Sequence, residues 1–129
     1  MAIGLIDGLV WAVGGVLLGA VVWSKFGGVK PERAVELAKQ AGTFILDVRT
    51  EAEFAGGHLE RAKLIPVQSL AGRSSELPSD KKTPILVYCA VGGRSAVAAG
   101  LLKAKGYEQV HDMSGGISAW QGAGFPVVK

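Results

Sequence analysis

Cys89 is the residue whose type and setting most directly offer chemistry. It follows the apolar run Pro84 to Tyr88 (PILVY) and opens the stretch Cys89-Ala90-Val91-Gly92-Gly93-Arg94-Ser95. A cysteine reacts as its thiolate, so a reactive one needs surroundings that stabilise negative charge. The run before Cys89 reads as a strand, and a helix is predicted to begin near Arg94. The two glycines between them let the backbone curl with its N–H groups turned inward. Those amides and the helix N-terminus would cradle the sulfur and pull its pKa below that of a free cysteine. This is the setting of a nucleophile. The alternative for a lone cysteine is a small apolar core side chain, a role that makes no use of the residues after it.

The chain of 129 residues holds one cysteine and two histidines. A single cysteine excludes an internal disulfide, a CxxC redox pair and a Cys-rich zinc site. The two histidines lie far apart in sequence, so neither a metal nor a cofactor is expected. The formal net charge is +3, and no basic run exceeds the pair Lys81-Lys82. A nucleic-acid partner is therefore not expected. With 49% hydrophobic and 19% charged residues, the chain is too apolar to be disordered.

The elements that must position Cys89 alternate between strands and helices. A helix starts at Pro31, repeats Ala34, Leu37, Ala38 and Ala41 at helical spacing, and stops at Gly42. Residues 43–48 (TFILDV) read as a strand buried on both faces. Thr50-Glu51-Ala52-Glu53 is a capping box that opens a short helix. Residues 62–66 form a weaker strand and residues 68–77 a helix. After the strand that ends at Tyr88 come a helix over 96–105, a strand over 108–111 and a short helix over 116–121. This alternation predicts an α/β fold with a parallel sheet covered on both faces. Sites in such folds lie beyond the carboxyl ends of the strands, where Cys89 stands.

Residues 1–23 (MAIGLIDGLVWAVGGVLLGAVVW) carry one charged side chain, Asp7. A lipid-spanning helix needs roughly 20 apolar residues, which predicts a transmembrane helix over residues 1–24, a linker over 25–30 and a globular domain over 31–129. Trp23 beside Lys25 fits an interfacial anchor. Lys25, Lys30 and Arg33 follow the segment, and no basic residue precedes it. The expectation is a single-pass protein of an inner or plasma membrane, held in lipid through residues 2–23 with its domain cytoplasmic. A cleaved signal peptide fits less well, because Met1 to Asp7 contains no Lys or Arg. Gly4, Gly8, Gly15 and Gly19 fall within an arc of about 60°. They offer a face for a homodimer in the membrane, or reflect only how common glycine is in spanning helices.

The globular part resembles the rhodanese family. Its active loop is matched by Cys89-x4-Arg94, with Gly92 and Ser95 in place. Leu46-Asp47-Val48-Arg49, Glu53-Phe54 and Gly57-His58-Leu59 are similar to the family's first signature. Gly115-Gly116-Ile117-Ser118-Ala119-Trp120 and Gly124-Phe125-Pro126-Val127 are similar to its C-terminal one. The resemblance implies a three-layer fold around a central, mainly parallel five-stranded sheet. It also implies a sulfurtransferase of the thiosulfate:cyanide class. The Cys89 thiolate would take the sulfane sulfur of thiosulfate or a persulfide donor and pass it to cyanide or a thiol. Residues 90–95 (Ala90, Val91, Gly92, Gly93, Arg94, Ser95) would stabilise the persulfide. Related phosphatases and arsenate reductases carry Cys-x5-Arg, so the shorter loop favours sulfur over phosphoryl transfer.

Two departures stand out. Ala90 and Val91 replace the basic or polar residues of many thiosulfate-active relatives, and Glu60-Arg61-Ala62 replaces Pro-Gly-Ala. Asp47 and Arg49 are expected on the rim of the site, as a donor contact or as a structural ion pair. Arg94 would either contact the donor or brace the loop against a carboxylate. Ser95 is expected to cap the helix that follows the loop, His58 to be structural, and Trp120 to lie in the core. The alternative function is a persulfide carrier or sensing module with little turnover of its own.

Overall fold

A computed structural model describes residues 28–129. The strands are β1 (Gly28–Val29), β2 (Phe44–Asp47), β3 (Lys63–Leu64), β4 (Ile85–Tyr88) and β5 (Val110–Met113). The helices are α1 (Pro31–Lys39), α2 (Glu51–Ala55), α3 (Gly93–Ala104) and α4 (Gly116–Gly122). The five strands form one sheet in the order β1-β5-β4-β2-β3, with every neighbouring pair parallel. The central strand β4 is buried at every position, which is why its sequence, Ile-Leu-Val-Tyr, is apolar without alternation.

Register sorts these side chains into two layers. Leu46 pairs with Val87, and both join Val48, Cys89, Ala98, Leu102 and Val110 under α3. Ile45 pairs with Leu86, and both join Ala34, Leu37, Tyr88, Met113 and Trp120 under α1 and α4. The α/β fold with a five-stranded parallel sheet and helices on both faces is thus observed. Gly28–Val29, within the stretch read as a linker, adds the edge strand beside β5.

The structure corrects several expectations. Residues 68–77 do not form a helix but two 3-10 turns, Val67–Ser69 and Ser74–Glu76. Gly72 and the Ser74-Ser75 pair between Leu70 and Leu77 weaken an α-helix. Arg73 meanwhile reaches the Leu64 carbonyl at 3.3 Å and so ties the turn to β3. The last strand begins at Val110 rather than Glu108, because the Glu108 amide is spent on the Lys81 carbonyl. Ser95 does not cap α3; Gly92 does, and Ser95 sits inside the first turn.

The predicted membrane helix is corrected as well. Among the described residues no helix is long and apolar enough to cross a membrane. The longest, α3, has 12 residues and spans about 18 Å, against the roughly 30 Å of a hydrocarbon core. Residues 1–24, on which that expectation rested, lie outside the described residues. The described residues therefore form the α/β domain, with no spanning helix among them. Membrane attachment through residues 2–23, the single-pass placement with a cytoplasmic domain and the dimer face of Gly4, Gly8, Gly15 and Gly19 are withdrawn with it.

Candidate active site

Cys89 is the first residue beyond the carboxyl end of β4. Its carbonyl accepts the Ile117 N–H at 2.9 Å, and the Ala90 carbonyl accepts the Ser118 N–H at 3.1 Å. The first turn of α4 thereby draws both carbonyls outward. Gly92 turns the chain back with φ of 125°, a value that favours glycine. The loop amides then face the sulfur: Gly92 N–H donates to Cys89 Sγ at 3.1 Å and Ser95 N–H at 3.3 Å. The thiol in turn donates to Ser95 Oγ at 3.4 Å, and that hydroxyl donates to the Gly92 carbonyl at 3.2 Å.

Cys89 is only 1% exposed. Burial alone would push its thiol pKa up. Hydrogen bonds from the Ser95 side chain and from the Ser95, Gly92 and Val91 amides outweigh burial, and the pKa lies below the ordinary value. The cradle read from the glycine spacing is present, and the sulfur sits at its focus.

Arg94 turns away from the sulfur. Its guanidinium forms a two-pronged bond with Glu53, at 2.7 and 3.0 Å. Glu53 is itself fixed by the capping box, accepting the Thr50 N–H at 3.0 Å while its own amide donates to Thr50 Oγ1. This geometry clamps α2 to the start of α3. Asp47 and Arg49 form a buried pair at 2.6 Å, and Arg49 also donates to the Gly57 carbonyl at 2.8 Å. The Arg49 guanidinium lies 5.6 Å above the Tyr88 ring, on the sheet face opposite the Cys89 layer. His58 stacks on Phe54 with ring centroids 3.6 Å apart, and its Nδ1 is 2.8 Å from the Phe54 carbonyl. Trp120 is buried and donates to the Pro126 carbonyl at 2.8 Å.

Among the candidate site residues, the structure thus gathers Cys89, Val91, Gly92 and Ser95 around one atom. It pairs Arg94 with Glu53, and it keeps Asp47 and Arg49 together beside Tyr88. Gly116 is a supporting residue whose part the sequence reading missed. A Cβ there would run into the Cys89 and Ala90 carbonyls, the latter at 2.5 Å. The Gly115-Gly116 pair was its signal, since one glycine suffices to end a strand. Among the described residues no cluster of His, Cys, Asp and Glu could hold a metal ion.

Residues 30–123 match the rhodanese-like domain family. The chain belongs to that family. This rhodanese-like domain is 37% identical over 92 residues to a protein named sulfurtransferase from Allochromatium vinosum, covering 71% of this chain and 84% of that one. It is 35% identical over 100 residues to the thiosulfate sulfurtransferase GlpE of Pseudomonas putida, covering 76% and 87%. The crystal structure of a rhodanese-related protein from Thermoplasma volcanium superposes with a TM-score of 0.70 at 31% identity, covering 78% of this chain and 96% of that one. Within this rhodanese-like domain, Cys89 is the candidate catalytic residue.

Proposed function

We propose that the domain is a sulfurtransferase that moves sulfane sulfur through a persulfide on Cys89. The observation that carries this reading is the convergence of the Gly92 and Ser95 amides on Sγ. In the first step the Cys89 thiolate attacks the outer sulfur of the donor. A new S–S bond forms as the old bond to that sulfur breaks, and the leaving group, sulfite from thiosulfate or a thiolate from a persulfide, departs with the electron pair. The extra sulfur projects about 2 Å beyond Sγ. Inward amides of residues 91–95 stabilise its negative charge as an oxyanion hole would. In the second step cyanide or a thiol attacks that outer sulfur and returns Cys89 as the thiolate. No other cysteine exists in the chain, so the acceptor comes from outside. Arg94, Asp47 and Arg49 brace this site.

The donor follows from electrostatics. Arg94, the one cation in the loop sequence, is committed to Glu53. Val91 at the loop apex is 70% exposed and apolar. A doubly charged donor gains little from such a mouth, so a persulfide of a thiol is the better substrate and thiosulfate the poorer one. The same features support the second reading, a persulfide carrier with low turnover.

Thiocyanate formation from thiosulfate and cyanide tests the proposal. The expected result is ping-pong kinetics, complete loss in Cys89→Ser and no hydrolysis of an aryl phosphate. Equal turnover by Cys89→Ser would refute it. Persulfide formation without turnover would select the carrier reading.

A further inference from the structure

Helix α3 begins where the Cys89 loop ends and buries one side against the sheet through Ser95, Ala98 and Leu102. Its other side faces outward. Gly93, Val97, Gly100, Leu101 and Ala104 are all exposed, and at about 100° per residue they share an arc of about 100°. Val97 is 60% exposed and Leu101 38%, and Val91, two residues before the helix, is 70% exposed. Among the described residues the one other large apolar side chain so exposed is Val128. Scattered exposed apolar residues need no explanation, but a run of them that starts at the mouth over a reactive sulfur does.

Gly100 adds a second observation. It stands in the interior of α3, where glycine weakens a helix relative to alanine, and a Cβ there would meet nothing within 4 Å. The packing of the domain itself therefore does not call for glycine at this position. Beside Val97 and Leu101, its bare backbone leaves a flat place for close approach of another surface. Charge selects the kind of surface. Residues 89–107 hold Arg94, Lys103 and Lys105 and no acidic residue. On the helix Arg94 and Lys105 border one side of the stripe and Lys103 the other. Glu53 meets Arg94 at the N-terminal end. Toward the C-terminal end Lys81 adds a further cation, 4.1 Å above the Tyr107 ring. A second copy of this face brings cations to meet cations, whereas carboxylates on a partner complement them.

We propose that the outer face of α3 is a docking surface for a protein that carries the exchanging thiol, its cysteine set beside an apolar patch bordered by carboxylates. The proposal rests on the sulfurtransferase reading. Cys89 is 1% exposed, so a protein thiol reaches its outer sulfur only when the two surfaces seat together at the loop mouth. The stripe that begins there supplies the area. The partner's thiolate attacks the outer persulfide sulfur and a new S–S bond forms. The bond to Cys89 Sγ breaks, and its electron pair stays on Sγ. The partner leaves as the persulfide, and no external oxidant or reductant takes part.

The probe is an amphipathic helical peptide with a leucine stripe, flanking glutamates and a terminal cysteine, set against the same peptide with lysines for glutamates. Binding to the full chain is read by fluorescence anisotropy with the peptide cysteine replaced by serine, so it needs no sulfur transfer. The glutamate peptide should bind about tenfold more tightly than the lysine peptide. Val97→Gln combined with Leu101→Gln should weaken its binding about fivefold. Both side chains lie outside the cradle, so discharge of a preformed Cys89 persulfide to 2-mercaptoethanol should be equal in wild type and variant. Discharge to the cysteine form of the glutamate peptide should slow in the variant. Equal or absent binding of the two peptides, or binding unchanged in the double variant, overturns the proposal. So does a dimer of the full chain in sedimentation that the double variant dissolves, since a second copy then occupies the face. A persulfide that never forms refutes the sulfurtransferase reading instead, and the binding result still decides the surface.

Discussion

Burial and hydrogen bonding pull the Cys89 thiol in opposite directions, and the hydrogen bonds win. That outcome depends on the loop holding its shape, a task shared by residues that never touch the sulfur. Glu53 is one. Hydrogen bonds from Arg94 are the largest influence on its carboxyl, which they help lower from 4.5 to about 2. Its contribution to stability is therefore complete above about pH 4.5 and fades as the pH falls toward about 2. Both side chains are roughly one-third exposed, so the pair is worth no more than about 1 kcal/mol. Glu53→Gln should lower the unfolding free energy measured by urea titration at pH 7 by that modest amount, with the deficit shrinking as the medium is acidified toward pH 2. A deficit that stays constant with pH would contradict this. The cradle around Cys89 was legible in the sequence because every residue that builds it lies within the local run 89–95. The Arg94 partner was not, since Glu53 stands 41 positions upstream. Nor was the cap of α3: the positive φ of Gly92 starts the helix early enough to bring Ser95 inside it.

Among the elements, α4 has the most direct hold on the site, because its first turn bonds the Cys89 and Ala90 carbonyls. The close approach requires a bare backbone at Gly116, whose φ is also positive, at 62°. Gly116→Ala would press a methyl group against two backbone carbonyls that have no room to yield. It should cost about 2–4 kcal/mol and raise the thiol pKa by turning the Cys89 carbonyl aside. Thermal unfolding and the pH dependence of alkylation would check both effects, and a variant as stable as the parent would contradict the packing described here. The strands were legible where they are buried on both faces, as in β2 and β4, whose apolar runs admit few other readings. Residues 68–77 were not, because leucines at 70 and 77 imitate helical spacing while Gly72 and Arg73 serve a turn tied to β3. The two-residue strand β1 is too short to leave a pattern, and β3 lies within the weaker strand read over residues 62–66. Their existence depends on pairing with β5 and β2.

At the scale of the molecule, two apolar layers flank one parallel sheet, and the sheet delivers Cys89 to the carboxyl edge. Hydropathy along residues 1–23 pointed to lipid, but hydropathy records only that side chains avoid water, not which apolar surroundings they enter. The five strands of the sheet and the cradle around Cys89 all lie within residues 28–129. Its charge is arranged for bracing: Glu53 with Arg94 joins α2 to α3, Glu76 with Lys63 joins a 3-10 turn to β3, Asp47 with Arg49 is a local pair, and none points at the sulfur. The site therefore works through backbone amides. The direct measurement is the intact mass of the full chain after exposure to thiosulfate or to a small-molecule persulfide. A gain of about 32 Da, one sulfur atom, is predicted. It should be larger in yield with the persulfide, removed by dithiothreitol and absent in Cys89→Ser. No gain with either donor, or an equal gain in Cys89→Ser, would contradict the account.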